Sequence, residues 1–287
     1  MLHDSMKSAQ KPSGCPSQNN MADKQKQEEQ AIKSSLSKIK HKIFVLSGKG
    51  GVGKSSISVN LAASFSKKGY KTGLMDVDVH GPSIAQMLGI TELLEISENH
   101  TLLPKKINEN LKAVSVQALM QDKDQAVIWR GPAKTGMIRQ FISAVDWGEL
   151  DFLIIDAPPG TGDEPITIAQ TIPDALGVII TTPQEVALAD IRKSISFCKT
   201  VNLKTIGIIE NMAGLECPHC KKNIDLFKAG GGKKTAIAKS LNFLGSIPFD
   251  LEVVLSGDNG IPLMMQDKQT AFIKAFDAIV ENIIKEL

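Results

Sequence analysis

Apolar positions along residues 41–287 fall into short continuous runs separated by longer amphipathic stretches. The short runs are rich in Ile, Val and Leu, which is typical of parallel strands covered on both faces. The longer stretches repeat apolar residues at helical spacing. Because the two kinds of stretch alternate, the sequence predicts an α/β protein with a doubly wound, mostly parallel sheet. The predicted strands lie at 43–46, 72–75, 152–155, 175–181, 205–209 and 243–249.

Residues 1–40 lack this pattern. They are rich in Lys, Gln, Ser and Asn and contain few large apolar side chains. Such a segment buries too little apolar surface to offset its ordering entropy. We therefore expect a flexible polar tail over residues 1–40, with helical tendency near 25–39, and one domain over 41–287. Cys15 lies in this tail and is expected to be an idle thiol, since one cysteine cannot hold a metal cluster alone.

Three further segments complete the pattern. The first contains apolar runs at 102–104 and 111–116, which indicate a strand pair or an inserted hairpin, and the second, 256–262, indicates a loop. The last stretch, 272–287, has apolar residues at helical spacing and a polar face with both signs of charge. A membrane-binding helix would be basic on that face, so we expect this helix to pack on its own sheet.

Composition narrows the class of protein further. The chain is 42% hydrophobic and 22% charged, as in ordinary globular proteins, and has a net charge of +2, which gives no reason to expect nucleic acid as a partner. No run approaches the ~18 apolar residues of a membrane span, and no apolar block near the N-terminus predicts a secretory signal. Four cysteines do not make a disulfide framework at this size, so a reducing cytoplasm is the expected location.

The turn after the first predicted strand has the chemistry of a phosphate-binding loop. Residues 48–55 read G-K-G-G-V-G-K-S and fit the pattern G-x-x-x-x-G-K followed by Ser or Thr, between a strand and a helix. Glycines let backbone N–H groups face an anion, and the helix N-terminus adds further donors. Lys54 is expected to reach the outer phosphates and Ser55 to ligate Mg²⁺. The candidate ATP-binding residues are Gly48, Lys49, Gly50, Gly51, Val52, Gly53, Lys54, Ser55 and Ser56.

Acidic residues follow two other predicted strands. Asp76 and Asp78 lie at the edge of the sheet that should hold the phosphate loop, and a pair at this spacing favours a switch segment over a helix cap. Asp78 is the candidate for positioning the attacking water. Asp156 ends the apolar run 152–155 and is expected to hold Mg²⁺ directly or through water, as a Walker B aspartate does.

The sequence Cys217-Pro218-His219-Cys220 is a second chemical signature. C-x₂-C places two thiolates for one metal centre. The alternatives are a redox-active cysteine pair and a reduced cysteine pair that binds no metal. Tetrahedral and cubane sites need four ligands, and His219 lies inside the short loop, where it is a poor third ligand. A twofold dimer in which each chain gives Cys217 and Cys220 would complete the set. Cys198, by contrast, shares an apolar helix face and is expected in the core.

Six motifs occur in an order that closely resembles the Mrp/ApbC family, ATPases that carry or scaffold iron–sulfur clusters. The family belongs to the P-loop class of MinD and ParA, whose deviant Walker A loop has a second lysine, here Lys49. The resemblance spans about residues 40–287. The motifs are K-G-G-V-G-K-S at 49–55, D-V-D-x-H-G-P-S at 76–83, D-A-P-P-G-T-G-D at 156–163, T-T-P-Q at 181–184, N-M at 211–212 and C-P-H-C at 217–220.

The resemblance implies a mechanism and partners. Cys217 and Cys220 would bind a bridging [4Fe–4S] cluster in a homodimer, and slow ATP hydrolysis would drive its loading or its transfer to apoproteins. Lys49 would reach across the dimer interface to the nucleotide of the partner subunit. Asn211 would read the edge of the adenine, with a plain turn asparagine as the alternative.

Two other functional classes share the same loop. A positioning ATPase like MinD or ParA needs a membrane helix or a nucleic-acid surface and has no use for Cys217 and Cys220. A reductase like the nitrogenase iron protein holds its cluster without a close C-x₂-C pair. Zinc in place of the cluster also fits two thiolates. Iron and sulfide content after anaerobic purification would separate a cluster carrier from a positioning ATPase.

Overall fold

The computed structural model describes residues 18–79, 81–98, 101–119, 131–217, 219–220, 222–225, 227 and 229–287. Cys15, His80 and Pro218 therefore lie outside the described residues. The helices are α1 (Gln18–Leu36), α2 (Lys54–Lys67), α3 (Ile84–Met87), α4 (Gly131–Ala144), α5 (Asp163–Thr171), α6 (Glu185–Thr200), α7 (Gly231–Ala238), α8 (Leu251–Asp258) and α9 (Ala271–Lys285). The strands are β1 (Ile39–Ser47), β2 (Thr72–Asp76), β3 (Glu95–Ile96), β4 (Leu102–Leu103), β5 (Lys105–Lys106), β6 (Leu111–Ser115), β7 (Leu150–Asp156), β8 (Leu176–Thr181), β9 (Lys204–Glu210), β10 (Leu215–Glu216), β11 (Asn223–Ile224) and β12 (Phe243–Ser246).

The main sheet has eight strands in the order β12-β9-β8-β1-β7-β2-β6-β5. All neighbours pair parallel except β5 and β6, which pair antiparallel. The predicted doubly wound, mostly parallel α/β sheet is confirmed. The register aligns Val45 of β1 and Asp76 of β2 with Asp156 of β7. The carboxyl ends of these strands therefore meet at one edge, which is where a doubly wound sheet binds ligands.

Two apolar layers cover the sheet. One includes Phe44, Phe141 and Trp147 and contains Cys198, which is buried as predicted. The other includes Phe65 of α2, stacked on Phe152 of β7 with ring centroids 4.1 Å apart. Helix α9 contributes its buried apolar face to this second layer, so it packs on the sheet as the sequence predicts. Its residues there are Phe272, Ile273, Phe276, Ile279, Val280 and Ile283.

Two segments differ in detail from the prediction. Helix α8 ends at Asp258 and so overlaps the first part of the loop predicted at 256–262. Its first turn is stabilised by Asp250, whose side chain accepts the Glu252 N–H at 2.9 Å. Gly257 within that helix weakens the helical pattern in the sequence. The predicted strand at 111–116 contains β6, which pairs with β5 in a hairpin and joins the main sheet beside β2. The predicted strand near 102–104 forms β4, which pairs with β3 instead of β6.

The structure places a helix before the predicted boundary at residue 40. Helix α1 covers residues 18–36, and β1 begins at Ile39. Ile32 and Leu36 lie one helical turn apart and are both buried in the core cluster. The Ser35 Oγ donates to the Val145 carbonyl oxygen at 3.1 Å. Few apolar residues suffice here because they fall on one helix face.

Replacing Leu36 with alanine should therefore lower the free energy of unfolding by about 2–4 kcal/mol, since a buried leucine is truncated and leaves a cavity. Lys33, exposed on the same helix, is the matched control: its replacement by alanine should change stability by less than about 0.5 kcal/mol. Urea unfolding measures both variants. If Leu36→Ala is as stable as the wild type, then α1 does not contribute to the folded domain and belongs with the polar tail.

Candidate functional site

The predicted phosphate loop connects β1 to α2 at the carboxyl edge of the sheet. Gly53 adopts a left-handed conformation with φ of 81°, and a Cβ there would lie 2.3 Å from the Asn211 Nδ2. A Cβ at Gly48 would lie 2.5 Å from the Asp190 carbonyl oxygen. Side chains at these two positions are thus excluded by backbone conformation or by close neighbours. The loop is also tied to the 157–163 segment, because the Gly160 N–H donates to the Ser47 carbonyl oxygen at 2.8 Å.

Lys54, Ser55 and Asp156 lie together at this edge of the sheet. The Lys54 Nζ lies 2.7 Å from the Asp156 Oδ2, and the Ser55 Oγ donates to the same oxygen at 2.6 Å. Lys54 is 6% exposed and Asp156 is fully buried. The Ser58 Oγ donates to the Asp156 Oδ1 at 2.6 Å. Ser58 was not among the predicted residues, although its position one helical turn after Ser55 places it on the same face.

The two aspartates after β2 have different surroundings. Asp76 is fully buried, and burial together with the nearby Asp156 raises its pKa to about 7. Its carboxylate accepts the Ser115 Oγ–H at 2.9 Å and the Asp78 N–H at 3.1 Å. Asp78 lies nearer the phosphate loop and accepts the Gly81 N–H at 3.3 Å. Asp78 therefore lines the cavity beside the phosphate loop, whereas Asp76 is buried next to Asp156.

Two adjoining cavities lie over this edge. The first, about 280 Å³, is lined by the phosphate loop, Lys49, Asp78 and Pro159. The second, about 270 Å³, is mostly apolar and is lined by Asn211, Phe249 and residues of α8. Four residues border both cavities, namely Gly53, Ser56, Ser83 and Met87. A cavity walled by a glycine-rich loop with two lysines, beside a mostly apolar cavity, suits the phosphates and the base of one nucleotide.

Asn211 has a role that its sequence position does not reveal. Its Nδ2 donates to the Val52 carbonyl oxygen of the phosphate loop at 2.9 Å, and its backbone N–H donates to the Thr181 carbonyl oxygen at 2.7 Å. Asn211 therefore supports the loop as well as lining the apolar cavity.

The cysteine pair lies on a separate hairpin formed by β10 and β11. Leu215 pairs with Ile224, and the Cys217 N–H donates to the Lys222 carbonyl oxygen at 2.9 Å, which closes the turn. Cys217 is half-buried and Cys220 is exposed. Among the described cysteines none forms a disulfide, and within the described part of one chain no group of three His, Cys, Asp or Glu side chains could hold a metal ion.

The described helices also bear on membrane association. None of them combines the length and the apolar character that crossing a bilayer requires.

The parallel sheet, the glycine loop with its lysine and serine, and the buried Asp156 define this chain as a P-loop NTPase. A sequence model of the ParA group, described as the NUBPL iron-transfer P-loop NTPase, matches residues 38–284. The chain belongs to this family. The family resemblance drawn from the six motifs is thereby confirmed.

Several proteins are similar to this one over most of its length, and their names all refer to iron–sulfur clusters. An iron-sulfur cluster carrier protein from Methanocaldococcus jannaschii is 46% identical over 277 residues, which cover 95% of this chain and 95% of that protein. The cytosolic Fe-S cluster assembly factor NUBP2 homolog of Dictyostelium discoideum is 45% identical over 86% of this chain and 95% of its own. The cytosolic Fe-S cluster assembly factor CFD1 of Saccharomyces cerevisiae is 43% identical over 88% and 90%, respectively.

Solved structures agree on the fold. A nucleotide-binding protein from Archaeoglobus fulgidus in complex with ADP superimposes with a TM-score of 0.74 at 36% identity, covering 86% of this chain and 96% of that one. The cell division ATPase MinD from Pyrococcus furiosus superimposes with a TM-score of 0.60 at 19% identity, covering 86% and 99%. The second likeness shows a shared fold alone, and it confirms the predicted MinD/ParA type.

Proposed function

We propose that this protein binds and hydrolyses ATP and carries an iron–sulfur cluster that it transfers to apoproteins. The observation that supports this most directly is the pairing, in one chain, of a complete P-loop site with a separate two-thiolate turn. The names of the similar proteins, which include carrier and cytosolic assembly factor, support iron–sulfur cargo and a cytoplasmic location.

The residues present fit ATP with Mg²⁺. Lys54 would bind the outer phosphates as a buried positive charge, and the Ser55 hydroxyl and the Asp156 carboxylate are the oxygen ligands that Mg²⁺ prefers. The Ser58 hydroxyl holds the second oxygen of Asp156, which fixes the orientation of that carboxylate. Bound Mg²⁺ would supply charge neutralisation at the phosphates. Slow hydrolysis, as the family resemblance implies, would suit a timed release of cargo.

Asp78 is proposed to position the attacking water, because it lines the phosphate cavity together with Lys49 and Lys54. Asp78→Asn should lower kcat for ATP hydrolysis by about 10²-fold, within the range of a positioned general base, while leaving ATP affinity within about threefold. Single-turnover hydrolysis and equilibrium nucleotide binding measure the two effects. Unchanged turnover would rule out Asp78 in this role.

The cysteine pair is proposed to form half of a shared site. Two thiolates per chain leave two coordination positions to fill, and a twofold homodimer fills them with Cys217 and Cys220 of each chain. Lys49, half-buried beside the phosphate cavity, would then approach the nucleotide of the partner subunit. ATP would favour the tighter dimer, and hydrolysis would loosen its hold on the cluster.

Iron and sulfide content measured together with mass in solution tests this function. Anaerobically reconstituted protein should be a dimer with about two irons per chain, as a shared four-iron cluster requires. A Mössbauer spectrum identifies the cluster type. A monomer that retains a full cluster would contradict the proposal that two chains share the site. Bound zinc without sulfide would contradict the proposal that the cargo is an iron–sulfur cluster.

A further inference from the structure

The chain between β9 and α7 leaves the sheet and returns to the residue where it left. We call residues 211–229 the cysteine loop, since Cys217 and Cys220 lie on its outer turn. It starts directly after Glu210, the last residue of β9, and is followed by Gly230, the N-cap of α7.

Glu210 closes the base of this loop. Its Oε1 accepts the Gly230 N–H at 3.0 Å, and its Oε2 accepts the Gly232 N–H at 2.5 Å. The Ser246 Oγ also donates to the Oε1, at 3.3 Å. Glu210 is fully buried. A buried carboxylate is costly unless donors surround it. Here both oxygens accept N–H groups at the start of α7, where the returning limb of the cysteine loop ends.

The first part of the cysteine loop, its outgoing limb, is held by separate hydrogen bonds. The Ala213 N–H donates to the Ile247 carbonyl oxygen at 2.8 Å, and the Phe249 N–H donates to the Gly214 carbonyl oxygen at 2.8 Å. These bonds involve neutral backbone groups, whereas the returning limb is held through a charged side chain. Charge-assisted hydrogen bonds are about twice as strong as neutral ones.

We infer that Glu210 is a positioning residue that sets the geometry of the Cys217–Cys220 turn by fixing the returning limb of the cysteine loop. The inference rests on the proposed function, in which these thiols hold the cluster. Its neighbour Asn211 contacts the phosphate loop through Val52. Glu210 and Asn211, consecutive residues at the end of β9, therefore contact the cysteine loop and the phosphate loop, respectively.

Glu210→Gln isolates this contact, because the amide has nearly the same shape but one of its two ends donates. Either the Gly230 N–H or the Gly232 N–H would then face an NH₂ group and lose its acceptor. In metal-free protein, alkylation of the half-buried Cys217, followed by mass spectrometry, should become about tenfold faster, whereas the rate at the exposed Cys220 should change little. Buried Cys198 is the internal control and should react no faster than in the wild type, since its protection reports the core rather than the loop.

Reconstituted Glu210→Gln protein should also lose iron to a chelator about tenfold faster than the wild type, while ATP affinity stays within about threefold. Ser246→Ala is the matched control: it removes the longest hydrogen bond to the same carboxylate, keeps both bonds to the loop, and should leave both rates near the wild-type values. Should Glu210→Gln fail to fold, Gly232→Ala disturbs the same contact, since its Cβ would lie 3.0 Å from the Glu210 Oε2.

A wild-type alkylation rate at Cys217 in Glu210→Gln would overturn the inference. Faster alkylation of Cys198 would also overturn it, because the substitution would then have loosened the core rather than the cysteine loop. Because the alkylation assay uses metal-free protein, it does not depend on the cluster. A wild-type protein that binds no cluster would overturn the proposed function and leave the alkylation result standing.

Discussion

Replacing Lys54 with alanine is expected to reduce the rate of ATP hydrolysis by about 10³-fold, the largest change of any single substitution at the nucleotide site. Lys54 is the buried cation of the phosphate cavity, 2.7 Å from the Asp156 Oδ2. Its removal takes away the charge that would stabilise the transferring phosphate. Steady-state phosphate release, corrected for contaminating ATPase with a mock purification, measures the effect.

Lys49→Ala provides the comparison within the same loop. Lys49 is half-buried and belongs to the cavity wall, so its loss should lower hydrolysis while ATP affinity is largely kept. Thermal unfolding should show that both variants are folded, since Asp156 keeps its hydrogen bonds from Ser55 and Ser58 when Lys54 is removed. An equal loss of ATP affinity in both variants would show that Lys49 has no separate, dimer-linked role.

Replacing Cys217 or Cys220 with serine is expected to remove essentially all bound iron and to weaken the dimer. A shared cluster needs all four thiolates, and one substitution per chain removes two of them by symmetry. Bound metal offsets the cost of bringing four thiolates together, so its loss should lower dimer affinity as well. Iron analysis and mass in solution, measured on the same anaerobic sample, should change together.

Two other cysteines serve as controls. Cys198→Ser alters a buried thiol whose pKa is raised by burial, and it should affect stability rather than iron content. Cys15→Ser should leave the iron content unchanged, because we propose that the tail takes no part in the site. Loss of iron from Cys15→Ser would show that the tail contributes to the iron site. Full iron retention by Cys217→Ser would contradict the shared cluster.

Local pattern was sufficient for most of the fold. The runs at 43–46, 72–75, 152–155 and 205–209 lie within β1, β2, β7 and β9 because continuous apolar residues bounded by turn signals leave few alternatives. The pattern was weaker where few residues carry the signal. Among the residues of α1 whose burial is described, Ile32 and Leu36 are the buried ones. In α8, Gly257 weakened the helical pattern in the sequence.

The candidate residues were also visible in the sequence, because phosphate and metal chemistry require particular side chains at fixed spacings. The glycines, Lys54 and Ser55 belong to one contiguous loop, and Cys217 and Cys220 to one turn, so adjacency along the chain is adjacency in space. Asp156 followed from its place at the end of a buried strand, since parallel strands deliver their last residues to one edge.

Contacts between distant segments were decided by the tertiary structure alone. Ser58 and Ser115 lie outside the motifs. Ser58 holds Asp156 because α2 packs on β7, and Ser115 holds Asp76 because strand register places β6 beside β2. Glu210 closes the cysteine loop only because the chain returns to it at Gly230 and Gly232. Sequence determines which groups are available and how each element forms. The packing of elements far apart along the chain decides which donor each buried carboxylate meets. Because burying an unpaired charge is costly, the stable packing is one in which every buried carboxylate has donors.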